Sequence, residues 1–229
     1  MRLDKYLTTV TNLSRTESKR ILKSNRVTVD GCHVTEPSTQ IGECAQVAID
    51  GEQLRSAAAR YFMLNKPLGY VSATKDKQHL TVLEWFDEDN LDRLHIAGRL
   101  DIDTTGLLLL TDDGQWSHRV TSPKHNCNKT YWLQTVDPIT DAAIEKIQQG
   151  ILLDNEKRAT KPATIELIDV QTARLTISEG KYHQVKRMFA AVGNKIETLH
   201  REQIDDIVLD ENLMPGEYRA LTEQEIGSI

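Results

Sequence analysis

The sequence predicts an α/β (α+β) fold: a small α-α-β unit followed by a larger domain built on a mixed, largely antiparallel central sheet. Three observations predict it. Strand-like and helix-like segments are interspersed without the regular β-α repeat of a doubly wound sheet. The stretch Arg55-Ser56-Ala57-Ala58-Ala59-Arg60 is poor in large apolar groups and separates a basic front end from the rest. A length of 229 residues suits one medium domain with a small partner.

In order along the chain, Leu3 to about Thr9 reads as a short helix. Ser14-Arg15-Thr16-Glu17 is a capping box that starts a second helix running to about Ser24. Val27-Thr28-Val29 alternates as a strand and ends in the turn Asp30-Gly31; a second strand, Val47 to Ile49, ends in Asp50-Gly51. In the larger part, Tyr61–Leu64 and Tyr70–Thr74 look like strands flanking Asn65-Lys66-Pro67-Leu68-Gly69, and Leu80 to Phe86 like a short helix. The run Leu107–Leu110 suits a strand buried on both faces. Residues 115–121 read as helix, Lys129 to Val136 as strand, and Asp141 to Gln149 as a helix stopped by Gly150. Ala163–Ile168 and Ala173–Ile177 are expected strands. Lys181–Val192 is an expected helix ending at Gly193, followed by strand from Ile196 to Ile204. Thr222-Glu223-Gln224-Glu225 caps a short terminal helix.

Composition narrows the function. The hydrophobic fraction is 39% and the charged fraction 27%, ordinary for a soluble protein. No apolar run approaches the ~20 residues that span a bilayer, and the charged N-terminus lacks a signal-peptide core, so a cytoplasmic location with no membrane partner is expected. The three cysteines, Cys32, Cys44 and Cys127, form no C-x-x-C pair and are odd in number, against a disulfide framework or a zinc site; they are expected to be reduced, structural thiols. Net charge is −6 but unevenly spread. Residues 1–26 hold seven Lys and Arg (Arg2, Lys5, Arg15, Lys19, Arg20, Lys23, Arg26) against two acids, and residues 202–229 hold eight acids against Arg219. Local field decides whether a phosphate backbone is attracted, so the basic front end permits nucleic-acid binding.

Three segments carry potential chemistry. Gly98-Arg99-Leu100-Asp101-Ile102-Asp103-Thr104-Thr105-Gly106 sets a polar loop between two glycines beside a buried strand, a scaffold that can hold a carboxylate at a cleft. It reads equally as a charged connection capped by Asp and Thr, and a third reading makes Asp101 and Asp103 a metal pair, though no further oxygen ligands stand at calcium-loop spacing. Ser178-Glu179-Gly180-Lys181-Tyr182-His183-Gln184-Val185-Lys186-Arg187 turns into a basic helix start that can hold phosphate or pair with a carboxylate, or is simply a solvated face; His183 alone is weak evidence for a metal or a general base. Lys129-Thr130-Tyr131 sets an aromatic beside a cation, able to stack on a base or to be an ordinary strand position.

Taken together, GRLDIDTTGLLLLTDDG (98–114), NKPLGYV (65–71), KTY (129–131) and EGKYHQVKRMF (179–189) resemble, in the same order, the motifs of the RsuA-type family of bacterial ribosomal RNA pseudouridine synthases. The first ~55 residues resemble an S4-type RNA-binding module. The resemblance implies a pseudouridine synthase fold over 61–229, an S4-like RNA-binding domain over 1–55 and a linker at 56–60. It implies an isomerase that needs no cofactor and no metal, in keeping with the missing dinucleotide, Walker and zinc patterns. It makes Asp101 the catalytic residue, Lys186 its counter-ion, and Tyr131 the residue that packs on the target base and assists proton removal from C5. Arg99 would hold the flipped nucleotide's backbone, Lys66 would position RNA or the catalytic loop, and Lys181, Arg187 and the N-terminal cations would meet RNA. The nearest resemblance within the family is to members that modify one uridine of 16S rRNA, uridine 516, on the RNA or a small-subunit assembly intermediate, acting as a monomer. A large-subunit enzyme of the same family, a non-catalytic S4-type ribosome-assembly protein, an RNA methyltransferase and a metal-dependent hydrolase are the rival readings.

Removing residues 1–55 is expected to weaken RNA binding and to flatten the slope of log affinity against log salt. Filter binding at several salt concentrations checks this, and unchanged affinity refutes an RNA-anchoring front end.

Overall fold

The chain divides by its own contacts into Met1–Ala58 and Ala59–Ile229; the computed structural model describes residues 1–11, 13–42, 45–54 and 59–229. Cys44 and most of the expected linker, residues 55–58, lie outside the described residues. Arg60, expected in that linker, belongs to the second unit: its Nε donates to Asp112 at 2.9 Å.

The first unit packs α1 (Leu3–Val10) and α2 (Arg15–Lys23) with β1 (Val27–Val29), β2 (Cys32–His33), β3 (Val47–Ile49) and β4 (Glu52–Gln53). The capping box forms: Ser14 Oγ accepts from the Glu17 amide at 3.2 Å, and the Glu17 carboxylate accepts from the Ser14 amide at 2.8 Å. Two expected strands become four because each Asp-Gly turn reverses the chain. Asp30 and Gly31, like Asp50 and Gly51, both hold positive φ, as tight hairpins require. The sheet runs β2-β1-β3-β4, all antiparallel. Leu3, Leu7, Leu22, Val27, Ile41 and Val47 form a core of its own.

The second unit contains β5 (Tyr61–Lys66), β6 (His95–Ala97), β7 (Thr105–Thr111), α3 (Gly114–Thr121), β8 (Lys129–Thr135), α4 (Asp141–Gln149), β9 (Thr164–Leu167), β10 (Thr172–Ile177), α5 (Gln184–Ala191), β11 (Ile196–Ile204), β12 (Ile207–Val208), β13 (Tyr218–Ala220) and α6 (Glu223–Gly227). The sheet is mixed and largely antiparallel, in the order β13-β5-β7-β11-β8-β10-β9, with β6 beside β7 and β12 beside β11. Only β7 and β11 pair in parallel, through His200 opposite Thr105 and Arg201 opposite Gly106. The leucine run explains the layering: Leu108 and Leu110 enter one core with Val185, Met188 and Phe189 of α5, while Leu107 and Leu109 enter the other with Trp116 and Val120 of α3. Each fully buried leucine contributes roughly 1.5–3 kcal/mol, so this strand anchors both layers.

Three expectations need correction. Tyr70–Thr74 is not a strand; it makes one parallel bridge, Val71 to Thr81, because Ser72 turns to hold the chain near Leu100 instead. Leu80–Phe86 yields only a 3-10 turn, Val82–Trp85, closed by a Thr81–Glu84 capping box. The helix expected from Lys181 begins at Gln184, since His183 adopts the left-handed region at φ 47 and cannot join it. Strands β6 and β13, too short for a clear alternation, went unforeseen.

The loop before β7 is fastened along its length. Arg201 Nη2 donates to Gly98 O at 3.2 Å. Ser72 Oγ donates to Leu100 O at 2.8 Å and accepts from the Leu100 amide at 3.0 Å. The Gly69 amide donates to Ile102 O at 2.9 Å, and the Thr104 amide to Asp101 O at 3.1 Å. Fully buried Lys66 donates to Thr104 O at 2.8 Å and Pro67 O at 3.0 Å. Gly106 ends the loop at φ +100, where an added Cβ would lie 2.3 Å from Arg201 O.

Gly106→Ala is therefore expected to cost roughly 2–4 kcal/mol of stability, seen as a lowered denaturation midpoint; a neutral substitution would contradict the close β7–β11 approach. Burial pushes the Lys66 ammonium down to about 8 from its ordinary 10.5, against the pull of Asp103 and Asp101. The unfolded chain then binds more protons than the folded one between about pH 8 and 10.5, so this group's contribution rises with pH through that window and is lost as pH falls toward 8. Lys66→Met is expected to remove that increment, and parallel stability–pH curves for the two proteins would overturn it.

Candidate active site

The fastened loop presents Asp101 to the first turn of α5. Lys186 Nζ lies 3.0 Å from Asp101 Oδ2 and also bonds Asp103 Oδ1. His183 Nε2 lies 3.3 Å from Asp101 Oδ1. The Asp101 side chain is 27% exposed, so it is partly removed from water yet open to a ligand. The first turn of a helix also favours a negative charge through its unpaired amides. Burial works to lower the Lys186 ammonium, but the bonds to Asp103 and Asp101 outweigh it and hold it above the usual lysine range. Burial likewise works to raise Asp103, and Lys186 outweighs it, leaving that carboxyl below its usual range. The Lys186 ammonium stands between two carboxylates. Asp103 is thus a second acceptor for Lys186, and no group of metal-ligating side chains occurs among the described residues.

The local sequence explains how α5 delivers these groups. Gln184, 4% exposed, donates to Glu179 Oε1 at 2.9 Å while its own Oε1 accepts from the Lys181 amide at 2.9 Å. This closes the 179–184 turn and forces the left-handed His183, which precedes the helix. Tyr182 stacks on the His183 ring at 3.8 Å between centroids.

Asp101, Lys186 and His183 border a cavity of about 380 Å³ that is also lined by Arg99, Thr104, Lys129, Tyr131, Lys181 and Arg201. Cavities of about 300–1,000 Å³ hold small ligands. Tyr131 is 8% exposed, with the Arg201 guanidinium carbon 6.0 Å from its ring centre. The structure therefore brings Asp101, Lys186, Tyr131 and Arg99 to one place.

The remaining expected RNA contacts divide. Arg99 is exposed at the cavity and makes no ion pair among the described residues. Lys66 is buried and holds Thr104 O, so of the two roles weighed for it the geometry provides for positioning the loop. Lys181 bonds Arg158 O at 3.1 Å and lies 3.5 Å from Glu156; Arg187 bonds Glu156 at 3.2 Å, Tyr182 O at 3.0 Å and Asp154 O. Those two cations brace the 154–158 segment against α5. In the first unit, Lys5, Arg15, Lys19, Arg20 and Lys23 are exposed, whereas Arg2 pairs with Asp4 and Arg26 with Asp50.

Sequence reasoning undervalued His183 and missed Thr104, Ser72 and Arg201 as site groups. His183 had one signal, its place between a glycine turn and a basic helix. Arg201 had none, being one charged residue in a strand pattern.

Two family models match: "RNA pseudouridylate synthase" over residues 60–191 and "S4 domain" over residues 1–47. The chain is 55% identical to the ribosomal small subunit pseudouridine synthase A of Salmonella typhimurium, covering 100% of both chains. It is 54% identical to the protein of that name from Escherichia coli, again over 100% of both. A crystal structure of a pseudouridylate synthase, 48% identical, superposes with a TM-score of 0.74 over 100% of this chain and 99% of that one. With its Asp101 loop, its cavity and these relatives over its whole length, the chain belongs to the RNA pseudouridylate synthase family and is an isomerase preceded by an S4 domain.

Proposed function

We propose that this enzyme isomerises one uridine of 16S ribosomal RNA, uridine 516, to pseudouridine, on the RNA or on a small-subunit assembly intermediate. Full-length relatives at 54–55% identity bear the small-subunit name, which supports the substrate. The observation that carries the chemistry is Asp101, partly exposed in a cavity and held between Lys186 and His183.

In this reading Asp101 is the catalytic carboxylate. Lys186, 3.0 Å from its carboxylate, supplies the counter-charge as the base arrives and displaces water. Tyr131 packs on the extruded base and assists loss of the C5 proton, and Arg99 at the open side holds the backbone of the flipped nucleotide. The C1′–N1 bond breaks, and the base turns and rejoins C1′ through C5, so no group passes to another molecule and the chemistry calls for no redox partner. Extrusion from a stacked helix costs a few kcal/mol, and phosphate contacts from Lys5, Arg15, Lys19, Arg20 and Lys23 of the S4 domain help to offset it without choosing the base. The division into an RNA-anchoring domain over 1–55 and a catalytic domain that takes in Arg60 and runs to 229, a monomeric state and a cytoplasmic setting complete the proposal. No helix among the described residues is long and apolar enough to cross a membrane.

Asp101→Asn is expected to lower turnover at least about a thousandfold while leaving RNA affinity within about twofold of the parent. Tritium release from C5-labelled uridine in a 16S transcript measures the first and filter binding the second. An active Asn variant removes Asp101 from the mechanism, and an unmodified position 516 in cells that contain the protein removes the target.

A further inference from the structure

Two polar groups at the cavity are incompletely partnered among the described residues. Thr104 is 2% exposed, lines the cavity, and its Oγ1 has no hydrogen-bond partner. Its backbone is fully occupied, taking Lys66 at the carbonyl and donating to Asp101 O. Arg201 is also 2% exposed and lines the cavity. Its Nε donates to Leu107 O at 2.8 Å and its Nη2 to Gly98 O at 3.2 Å, while Nη1 has no acceptor among the described residues. No carboxylate among the described residues pairs with it. The acids of the cavity are engaged elsewhere: Asp101 with Lys186 and His183, and Glu179 with the Lys161 amide and Gln184. The nearby cations compound the imbalance. Lys129 is buried and bonds the carbonyls of Val120 and Cys127, with the Asp205 carboxylate favouring its charge, and Lys66 bonds the carbonyls of Thr104 and Pro67.

A buried guanidinium without a counter-ion and a buried hydroxyl without a partner are both costly. Proteins retain such groups where a ligand supplies what is missing. The missing partner here is an acceptor that gains negative charge.

We propose that Arg201 and Thr104 form a subsite for the carbonyl-bearing edge of the extruded uracil, with Arg201 stabilising the charge that gathers on O4 during isomerisation. This rests on the pseudouridine synthase reading and adds a subsite to it. It holds for either role of Asp101. If the carboxylate adds to C6, the Oδ–C6 bond forms, the C5–C6 π bond breaks, and its electron pair passes through C4 onto O4. If the C1′–N1 bond breaks first, its pair stays on the base and is shared by O2 and O4 through the ring. In the first route the pair returns to C5 as C1′–C5 forms and C1′–N1 breaks, N1 taking a proton; loss of the C5 proton then re-forms the C5–C6 double bond and expels the Asp101 carboxylate. In the second the pair returns to C5 as C1′–C5 forms, the proton leaves C5 and N1 ends protonated, so atoms and charge balance in both. A fixed cation that meets O4 as its charge grows acts on the transition state more than on the bound substrate. The Thr104 hydroxyl can accept from N3–H or donate to a carbonyl. Cytosine carries an amino donor at C4, which would face the Arg201 donor without an acceptor between them, so the same subsite selects against it.

The test compares a 16S transcript holding uridine with one holding 4-thiouridine at the target, sulfur being the poorer acceptor. The wild-type protein is expected to slow about tenfold on sulfur, a difference of about 1.4 kcal/mol. Arg201→Met is expected to lose about a hundredfold in kcat on the oxygen substrate with little change in KM, to lose its sensitivity to sulfur, and to be partly rescued by Arg201→Lys. Thr104→Val is expected to melt no lower than wild type, because it removes an unpaired buried hydroxyl, yet to turn over about tenfold more slowly. A folded Arg201→Met that keeps the full sulfur effect overturns the proposal. If that variant does not fold, a fully active Thr104→Val overturns it and a slow, stable one supports it. Wild-type protein inert on the oxygen substrate would instead overturn the parent reading, and this one with it.

Discussion

The whole catalytic arrangement depends on one immobilised loop, residues 98–106. An aspartate on a nine-residue connection would ordinarily sample many orientations, and each ordered residue costs about 1–2 kcal/mol of backbone entropy. Here three neighbouring segments meet that cost with hydrogen bonds at four positions, Gly98, Leu100, Ile102 and Thr104. The groups that hold the loop come from β5, the 69–72 connection and β11, so the loop's conformation is a property of the sheet. Asp101 reaches the cavity preorganised, and its partners on α5 need no rearrangement to meet it.

How much of this was legible in the residues follows from the range of the forces involved. The helices with local signals were readable: Ser14 and Glu17 cap α2, Thr222 and Glu225 cap α6, and Gly150 stops α4. The two-faced burial of Leu107–Leu110 was readable because an unbroken apolar run has few other uses. Position in the sheet was not, since the parallel pairing of β7 with β11 is set by residues about a hundred positions apart. Tyr70–Thr74 shows the same limit: its β-branched and aromatic content favours a strand, but Ser72 is drawn to Leu100 and the ladder never forms.

The site divided along the same line. Asp101 and Lys186 stood in dense motifs whose resemblance to a known family singled them out. Arg201 lies in an ordinary alternating strand, and only the fold shows that its side chain crosses beneath Gly98 and Leu107 to reach the cavity. The cations split by their contacts: Lys181 and Arg187 pair with Glu156, whereas those on α2 remain in solvent.

The parallel pairing of β7 with β11 has a consequence for synthesis. Arg201 holds Gly98 across 103 residues of sequence, and Gly106 receives its close neighbour only when β11 docks. Contacts of such long range form late, after the local hairpins and helices. A chain emerging from the ribosome therefore carries Asp101 for some hundred residues before the wall beside it exists, and the cavity closes only once β11 has been translated.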